Sequence, residues 1–391
     1  MQKHFLTLLL YFFLLSAAFG QAESDTTVVD SVEVAAAEEE MLYKEDTADF
    51  VYYSLPGDIE FVPGDDHPAV IADRLSCIPQ TVPLKYNDKV HAFINYFTVK
   101  DRAYTRMMMR RKNLYFPIFE KQLAKYKMPD ELKYLAIIES GLNPRAVSRV
   151  SAVGLWQFMA PTGRYYGLHQ DGYIDDRMDP VKATDAACRY LKDLYGMFDD
   201  WELALAAYNT GPGNVKKAIR RAGYKKSFWE IYPFLPRETR SYVPQFVAII
   251  YAMNFLEEHN FINEGEERLM TYDTLMVTKF LHFETLASLT GICLEDLQKL
   301  NPAVRHNALP DDAKRHTLLL PSIAKQELNQ NRLAILDSAS KVGKKQLETM
   351  VKSWAGGIYG RDRIVYKVKS GDVLGSIALR HKVTVADLKK W

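Results

Sequence analysis

Apolar positions recur at helical spacing through most of the chain between residues 83 and 260. The segments YNDKVHAFINYFT (86–98), LYFPIFEKQLAKYKMP (114–129), DPVKATDAACRYLKDLYGMF (179–198), DWELALAAYN (200–209), NVKKAIRRAG (214–223) and PRETRSYVPQFVAIIYAMNFLEE (236–258) each read as a helix with one apolar face. Start and stop residues agree. Asn87 or Asp88 can cap the first segment, Asp179 with Pro180 opens another, and Gly211 and Gly223 follow the ends of two more. The pattern predicts a compact, nearly all-α domain over 83–260.

Beyond about residue 270 the pattern changes. YDTLMVTKFLHFETLASLTGICLEDLQKLNPA (272–303) reads as a strand, two short helices and a turn, and HTLLLPS (316–322) as a closing strand. The segment over 271–322 is therefore a small α+β unit of βααβ order. A charged helical linker is expected over 323–363. The final stretch, YKVKSGDVLGSIALRHKVTVADLKKW, repeats the earlier order of strand, [IL]-A pair, polar spacer and D-L-x-K-[LW], and is expected to stop before its return strand.

The first twenty residues, MQKHFLTLLLYFFLLSAAFG, combine a Lys, a short apolar run and a small-residue end. They read as a secretory signal peptide cleaved after Gly20, and they place the mature protein in the periplasm or cell envelope. Residues 21–82 are acidic and poor in core patterns, and are expected to form a largely disordered leader. No later segment is long and apolar enough to span a bilayer. The 391 residues are 48% hydrophobic and 25% charged with a net charge of +1, which gives no support to nucleic-acid binding. Three distant cysteines, Cys77, Cys188 and Cys293, offer neither a disulfide framework nor zinc spacing, and the nine histidines never pair as H-x-x-x-H. No metal and no cofactor is expected. Cys188 falls on an apolar helical stripe and is expected in the core.

Within LKYLAIIESGLNP (132–144) an acid stands where a soluble helix does not want one. Pro129, Asp130 and Glu131 open the helix, Gly141 closes it, and Leu132, Leu135, Ala136 and Glu139 share its core-facing stripe. Desolvation beside Leu135 and Ile138 and the negative end of the helix both favour the protonated carboxyl, the form a general acid needs. The alternative is a last-turn Glu that caps a loop or pairs with Arg145 or Arg149. Further on, SRVSAVGLWQFMAPTGRYYGL (148–168) mixes small, amide and aromatic residues, and AAYNTGPGNV (206–215) puts a Tyr and an Asn at a helix end beside a Gly-rich turn. Sugar sites use such side chains, since aromatics stack on sugar faces while amides and hydroxyls satisfy ring substituents. Singly, Trp156 and Tyr208 could equally be packing residues.

Taken in order, ESGLNPRAVS…GLWQFM, AAYNTGPGNV and PRETRSYV resemble the catalytic domain of the soluble-lytic-transglycosylase family, which is lysozyme-like and mainly α. The GLWQFM…TG…YGL form resembles the family's membrane-bound lytic murein transglycosylase D branch, and the two repeats resemble LysM domains. The resemblance implies that Glu139 is the single catalytic acid and that Ser148 faces it and the substrate. It further implies that Gln157, Met159, Tyr208 and Asn209 line the glycan groove, and that Tyr242 lies close to the acid. Glu238 is implied to be structural. Two departures stand out: Ala160 where the family commonly has Pro after Met, and the lack of a lipobox Cys near residue 20.

The resemblance implies cleavage of the MurNAc–GlcNAc β-1,4 bond of peptidoglycan glycan strands with formation of 1,6-anhydro-MurNAc ends. The repeats would hold the enzyme on the wall without contributing to the chemistry. Two rivals stand beside this reading. One is a hydrolytic muramidase on the same fold, using Asp171, Asp175, Asp176 or Asp179 as a second carboxylate. The other is a non-catalytic peptidoglycan-binding scaffold.

Overall fold

The computed structural model describes residues 62–63, 66–262, 267–355 except 269 and 313, and 366, 368, 372–380, 385 and 388. The expected signal peptide, most of the leader and most of the last repeat lie outside the described residues.

Two hydrophobic cores organise the described chain. The larger begins earlier than the sequence suggests. Helix α1 (Pro68–Cys77) starts with Pro at its first turn and a His67 cap, and buries Ile71 and Leu75, four residues apart, against the main core. Thr81 and Val82 then donate their backbone N–H groups to the Glu131 carboxylate. The expectation of a disordered leader over 21–82 is therefore corrected over 68–82, which are ordered and docked. The helix is short and docks through Ile71 and Leu75 alone, with Ile78 and Val82 buried just beyond its end.

Asn87 caps α2 (Asp88–Asn95), accepting from Lys89 and Val90 N–H. Asp101 caps α3 (Arg102–Tyr126), a 25-residue helix that starts twelve residues before the expected one. Its first half, RAYTRMMMRRKN, buries Arg102, Tyr104, Thr105 and Met108, and turns two of its basic residues inward, Arg102 onto Thr98, His259 and Asn260 carbonyls and Arg111 onto Gly141 O, so that charge masks the buried face. The Glu139 segment also differs in form. Asp130–Tyr134 is a 3₁₀ turn, and only Leu135–Ser140 is α-helix, here α4. Every residue of α4 is buried, so it runs through the core rather than along it.

After a loop and α5 (Ala160–Tyr165), the Asp179 carboxylate caps α6 (Pro180–Phe198) and Asp200 caps α7 (Trp201–Thr210). Helix α8 (Pro212–Arg221) and the short α9 (Phe228–Ile231) follow. Helix α10 (Arg237–Asn254) passes through the middle of the domain, buried continuously from Ser241 to Met253, and packs on α2, α4 and α7. Cys188 lies fully buried in this core, as expected, and burial pushes its thiol up to about 12.

The second core has the expected βααβ order. Strand β1 (Tyr272–Val277) pairs antiparallel with β4 (His316–Pro321), from Tyr272 opposite Pro321 to Val277 opposite His316. Between them lie β2 (Leu281–His282), α11 (Phe283–Thr290), α12 (Leu294–Leu300) and β3 (Ala308–Leu309). The charged linker expected over 323–363 is corrected here. Helix α13 (Lys325–Lys341) places Leu328, Ile335 and Ala339 in this core and packs on α11, so it belongs to the unit. Three apolar contacts spaced by seven and four residues are enough to dock it, although its other positions are polar. Helix α14 (Lys344–Ala355) follows, and α15 (Leu374–Arg380) lies in the last repeat with Ile377 and Ala378 buried.

Candidate active site

Helix α4 is too short to hold an acid rigidly by its own hydrogen bonds, so its surroundings do so. Gly141, at φ 58°, ends it in the left-handed conformation and donates to Ile137 O. The last carbonyls, which face the core, are satisfied from α3: Tyr104 donates its hydroxyl to Ile137 O at 2.8 Å, and Arg111 donates to Gly141 O at 2.8 Å. The Ser140 hydroxyl donates to Leu155 O at 3.0 Å, which ties α4 to the following loop. Glu139 is thus fixed at the helix end with only 8% of its surface exposed.

One tyrosine from another helix bonds this carboxyl, and a second stands near enough to feel its charge. Tyr242, on α10, donates its hydroxyl to Glu139 Oε1. Tyr208, on α7, donates to Trp156 O at 2.8 Å; burial pushes its phenol well above the ordinary value, and the nearby Glu139 charge adds to that. Asn209 accepts from the hydroxyl of Thr239 at 2.9 Å, and Thr239 stands three residues before Tyr242. The A-Y-N end of α7 and the first turns of α10 are therefore locked side by side.

The loop 146–158 forms the neighbouring wall through the bridges Val147–Val153 and Val153–Phe158. Ser148 is held at its turn, where its Oγ accepts from Ala152 N at 3.0 Å. Gln157 adopts φ 45°, unusual for a residue with a Cβ, and donates its side-chain amide to Gly154 O at 2.9 Å. Met159 is 38% exposed at the rim. Trp156 points the other way, fully buried, with its N–H donated to Thr184 at 2.9 Å, and is a packing residue.

Structure thus brings Tyr242 and Tyr208 to Glu139, binds Asn209 to the Tyr242 helix, and sets Ser148, Gln157 and Met159 on one loop. Sequence reading missed Ser140, Thr239, Tyr104 and Arg111. The first two lie inside the quoted motifs and could have been weighed; Tyr104 and Arg111 lie on a distant helix and carry no local signal.

The acidic loop 169–179 has a different character. Asp171 accepts from Tyr173 N and Ile174 N, both at 2.7 Å, and its Oδ2 pairs with His169. Asp175 is bound by the guanidinium of Arg177, at 2.8 and 3.0 Å. Asp176 accepts from His169 N and pairs with Lys182 at 2.7 Å, while Asp179 caps α6. Each of these acids has a structural task.

A buried carboxyl at a helix end, bonded by the Tyr242 phenol, is an arrangement that a general acid can use. Residues 116–231 match the Transglycosylase SLT domain family, 271–336 the lytic transglycosylase MltD LysM-like domain, and 366–391 the LysM domain. The class is therefore a lytic transglycosylase with a lysozyme-like helical domain followed by LysM units.

The chain is 31% identical over 343 residues to membrane-bound lytic murein transglycosylase D of Escherichia coli strain K12, covering 84% of its own length and 70% of the relative's. It belongs to that family of lytic murein transglycosylases, lyases acting on peptidoglycan. The soluble lytic murein transglycosylase of the same strain is 27% identical over 163 residues, 39% of this chain and 24% of that protein. The solved 70 kDa soluble lytic transglycosylase of E. coli aligns with 60% of this chain and 37% of its own, at 19% identity and a TM-score of 0.34. Among the described residues no helix is long and apolar enough to cross a membrane.

Proposed function

We propose that Glu139 cleaves the MurNAc–GlcNAc β-1,4 bond as acid and then base, leaving a 1,6-anhydro-MurNAc end. Glu139 protonates the leaving oxygen, and oxocarbenium character develops at C1. The resulting carboxylate takes the proton of the 6-hydroxyl on the same MurNAc, which attacks C1 and closes the ring. The nucleophile is tethered, and effective molarities of such closures reach ~10⁵ M, so no positioned water is needed. Tyr242 holds the carboxyl in orientation and can follow its change of charge. Ser148, Gln157, Met159, Tyr208 and Asn209 bind the glycan around it.

The observation that carries the anhydro product over hydrolysis is the loop 169–179. A hydrolytic muramidase needs a second carboxylate beside the glycosidic bond. Asp171, Asp175, Asp176 and Asp179 are all taken up by backbone N–H groups, Arg177, Lys182 or a helix start. The proposed site of action is the wall in the cell envelope, reached through the signal peptide, with the LysM units binding glycan. Mass spectrometry of muropeptides from a purified-enzyme digest decides the product. Anhydro ends are lighter than reducing ends by one water, about 18 Da. A digest dominated by reducing ends overturns the proposal.

A further inference from the structure

The loop 169–179 has a second neighbour, the LysM-like unit. Its backbone pairs as a short antiparallel bridge with residues 303–305: Asp175 N donates to Ala303 O at 2.9 Å, Arg305 N donates to Tyr173 O at 2.8 Å, and Ile174 lies opposite Val304. Arg305 also sets its guanidinium 3.8 Å from the Asp175 carboxylate, which is 1% exposed. Arg145, six residues after Glu139, donates to Val304 O at 3.3 Å. On the far side, Gly172 meets α14 so closely that a Cβ there would fall 2.3 Å from Val351 Cγ1. Two parts of the C-terminal region therefore grip one short loop of the helical domain.

That loop in turn carries the glycan-side wall. Asp175 fixes Arg177 through two side-chain hydrogen bonds, and Arg177 donates to Phe158 O at 3.1 Å and Ser151 O at 3.3 Å. Phe158 stands between Gln157 and Met159. Gly154, at φ 87°, sits so near Arg177 O that a Cβ would lie 1.9 Å from it. The path from the LysM-like unit to the groove is thus continuous: Arg305, Asp175, Arg177, Phe158 O, then Gln157 and Met159. Residues 303–305 are held from their own side by Asn301, which donates to Leu319 O at 2.7 Å and accepts from Leu319 N at 2.9 Å on β4.

We propose that the LysM-like unit is part of the active-site scaffold, and that Arg305 is a positioning residue that sets the glycan-binding loop through Asp175 and Arg177. This replaces the expectation that the repeats act purely as wall anchors. The charge on Arg305 stands beside a desolvated carboxylate already bound by Arg177. Its removal leaves the pair intact but loosens the loop on its outer side.

The test uses the full chain on soluble, peptide-free glycan oligomers, which need no wall anchoring. Arg305→Ala is expected to raise KM roughly ten-fold while kcat stays within about three-fold, since a displaced binding loop weakens ground and transition states alike. Arg305→Lys should recover part of that loss, and sedimentation with insoluble peptidoglycan should be unchanged in both. If Arg305→Ala does not fold, Gly172→Ala disturbs the same loop from the α14 side and should raise KM in the same way. Wild-type KM in the folded variants overturns the proposal, and so does a loss confined to sedimentation, which would make Arg305 part of a separate wall-binding site.

The inference rests on the groove assignment of Gln157 and Met159, which Met159→Ala tests by itself. If that variant leaves KM unchanged, the groove assignment fails. If Met159→Ala raises KM and Arg305→Ala does not, only the scaffold role fails.

Discussion

Two glycines in the helical domain share a positive φ and differ in their surroundings, which makes them a matched pair. Gly154 has φ 87° and Gly167 has φ 83°. A Cβ on Gly167 meets nothing within 4 Å, whereas on Gly154 it falls 1.9 Å from Arg177 O and 2.8 Å from Arg177 C, both backbone atoms. Gly167→Ala should therefore register the left-handed conformation alone, ~1 kcal/mol. Gly154→Ala adds an overlap about 1.5 Å inside ordinary contact, with a backbone that cannot step aside because Arg177 is bound to Asp175, Ser151 and Phe158.

Overpacking of this kind adds ~3 kcal/mol, which brings the expected loss at Gly154 to ~4 kcal/mol. For a domain of this size the melting temperatures should fall by about 12 °C for Gly154→Ala and about 3 °C for Gly167→Ala. Circular dichroism melts and urea titrations of the full chain measure both. At a temperature where both variants are folded, Gly154→Ala alone should also weaken glycan binding, because Arg177 and Phe158 O must part. Losses within ~1 kcal/mol of each other would refute the claim that the groove loop is pressed on Arg177.

Glu139→Gln keeps the shape of the acid and removes its proton, so turnover of peptidoglycan should drop by roughly 10²–10⁴ with the melting temperature preserved; near-normal turnover would sink the assignment. Thr184→Val deletes the acceptor of the buried Trp156 N–H and should cost ~1–3 kcal/mol of stability, read by urea unfolding followed through tryptophan fluorescence. His259 is buried beside Tyr251, and desolvation holds its pKa below the ordinary 6.5 against the opposing pull of Asp66. The unfolded chain then binds more protons than the folded one, so His259 lowers stability as pH falls below 6.5. His259→Gln should flatten that part of the stability–pH curve, and an unchanged slope between about pH 7 and pH 5 would show that His259 is not its source.

Local chemistry was enough to read several parts of this protein from its sequence. Asn87, Asp179 and Gly141 act only on backbone groups within a few residues, so their helix boundaries can be read from the chain. The family resemblance carried by the E-S, A-Y-N and E-T-x-x-Y motifs is what pointed to Glu139, Tyr208, Asn209 and Tyr242 before any coordinates. The alternation of strand and helix over 271–322 was legible because one small core needs a period of two beside a period of 3.6. What the sequence could not show are contacts between segments far apart in the chain. The hydroxyl of Tyr104 on an α4 carbonyl, the Thr239 bond to Asn209, and the docking of α1 and α13 through two or three apolar side chains each depend on what happens to lie opposite. The role of the acidic loop was open for the same reason. Asp175 reads as a possible catalytic carboxylate until Arg177 and Arg305, one of them 130 residues away, are seen to close on it. Propensity and motif fix local backbone and residue type, whereas burial and partnership are properties of the packed chain, and here they give each acid of the 169–179 loop its structural partner.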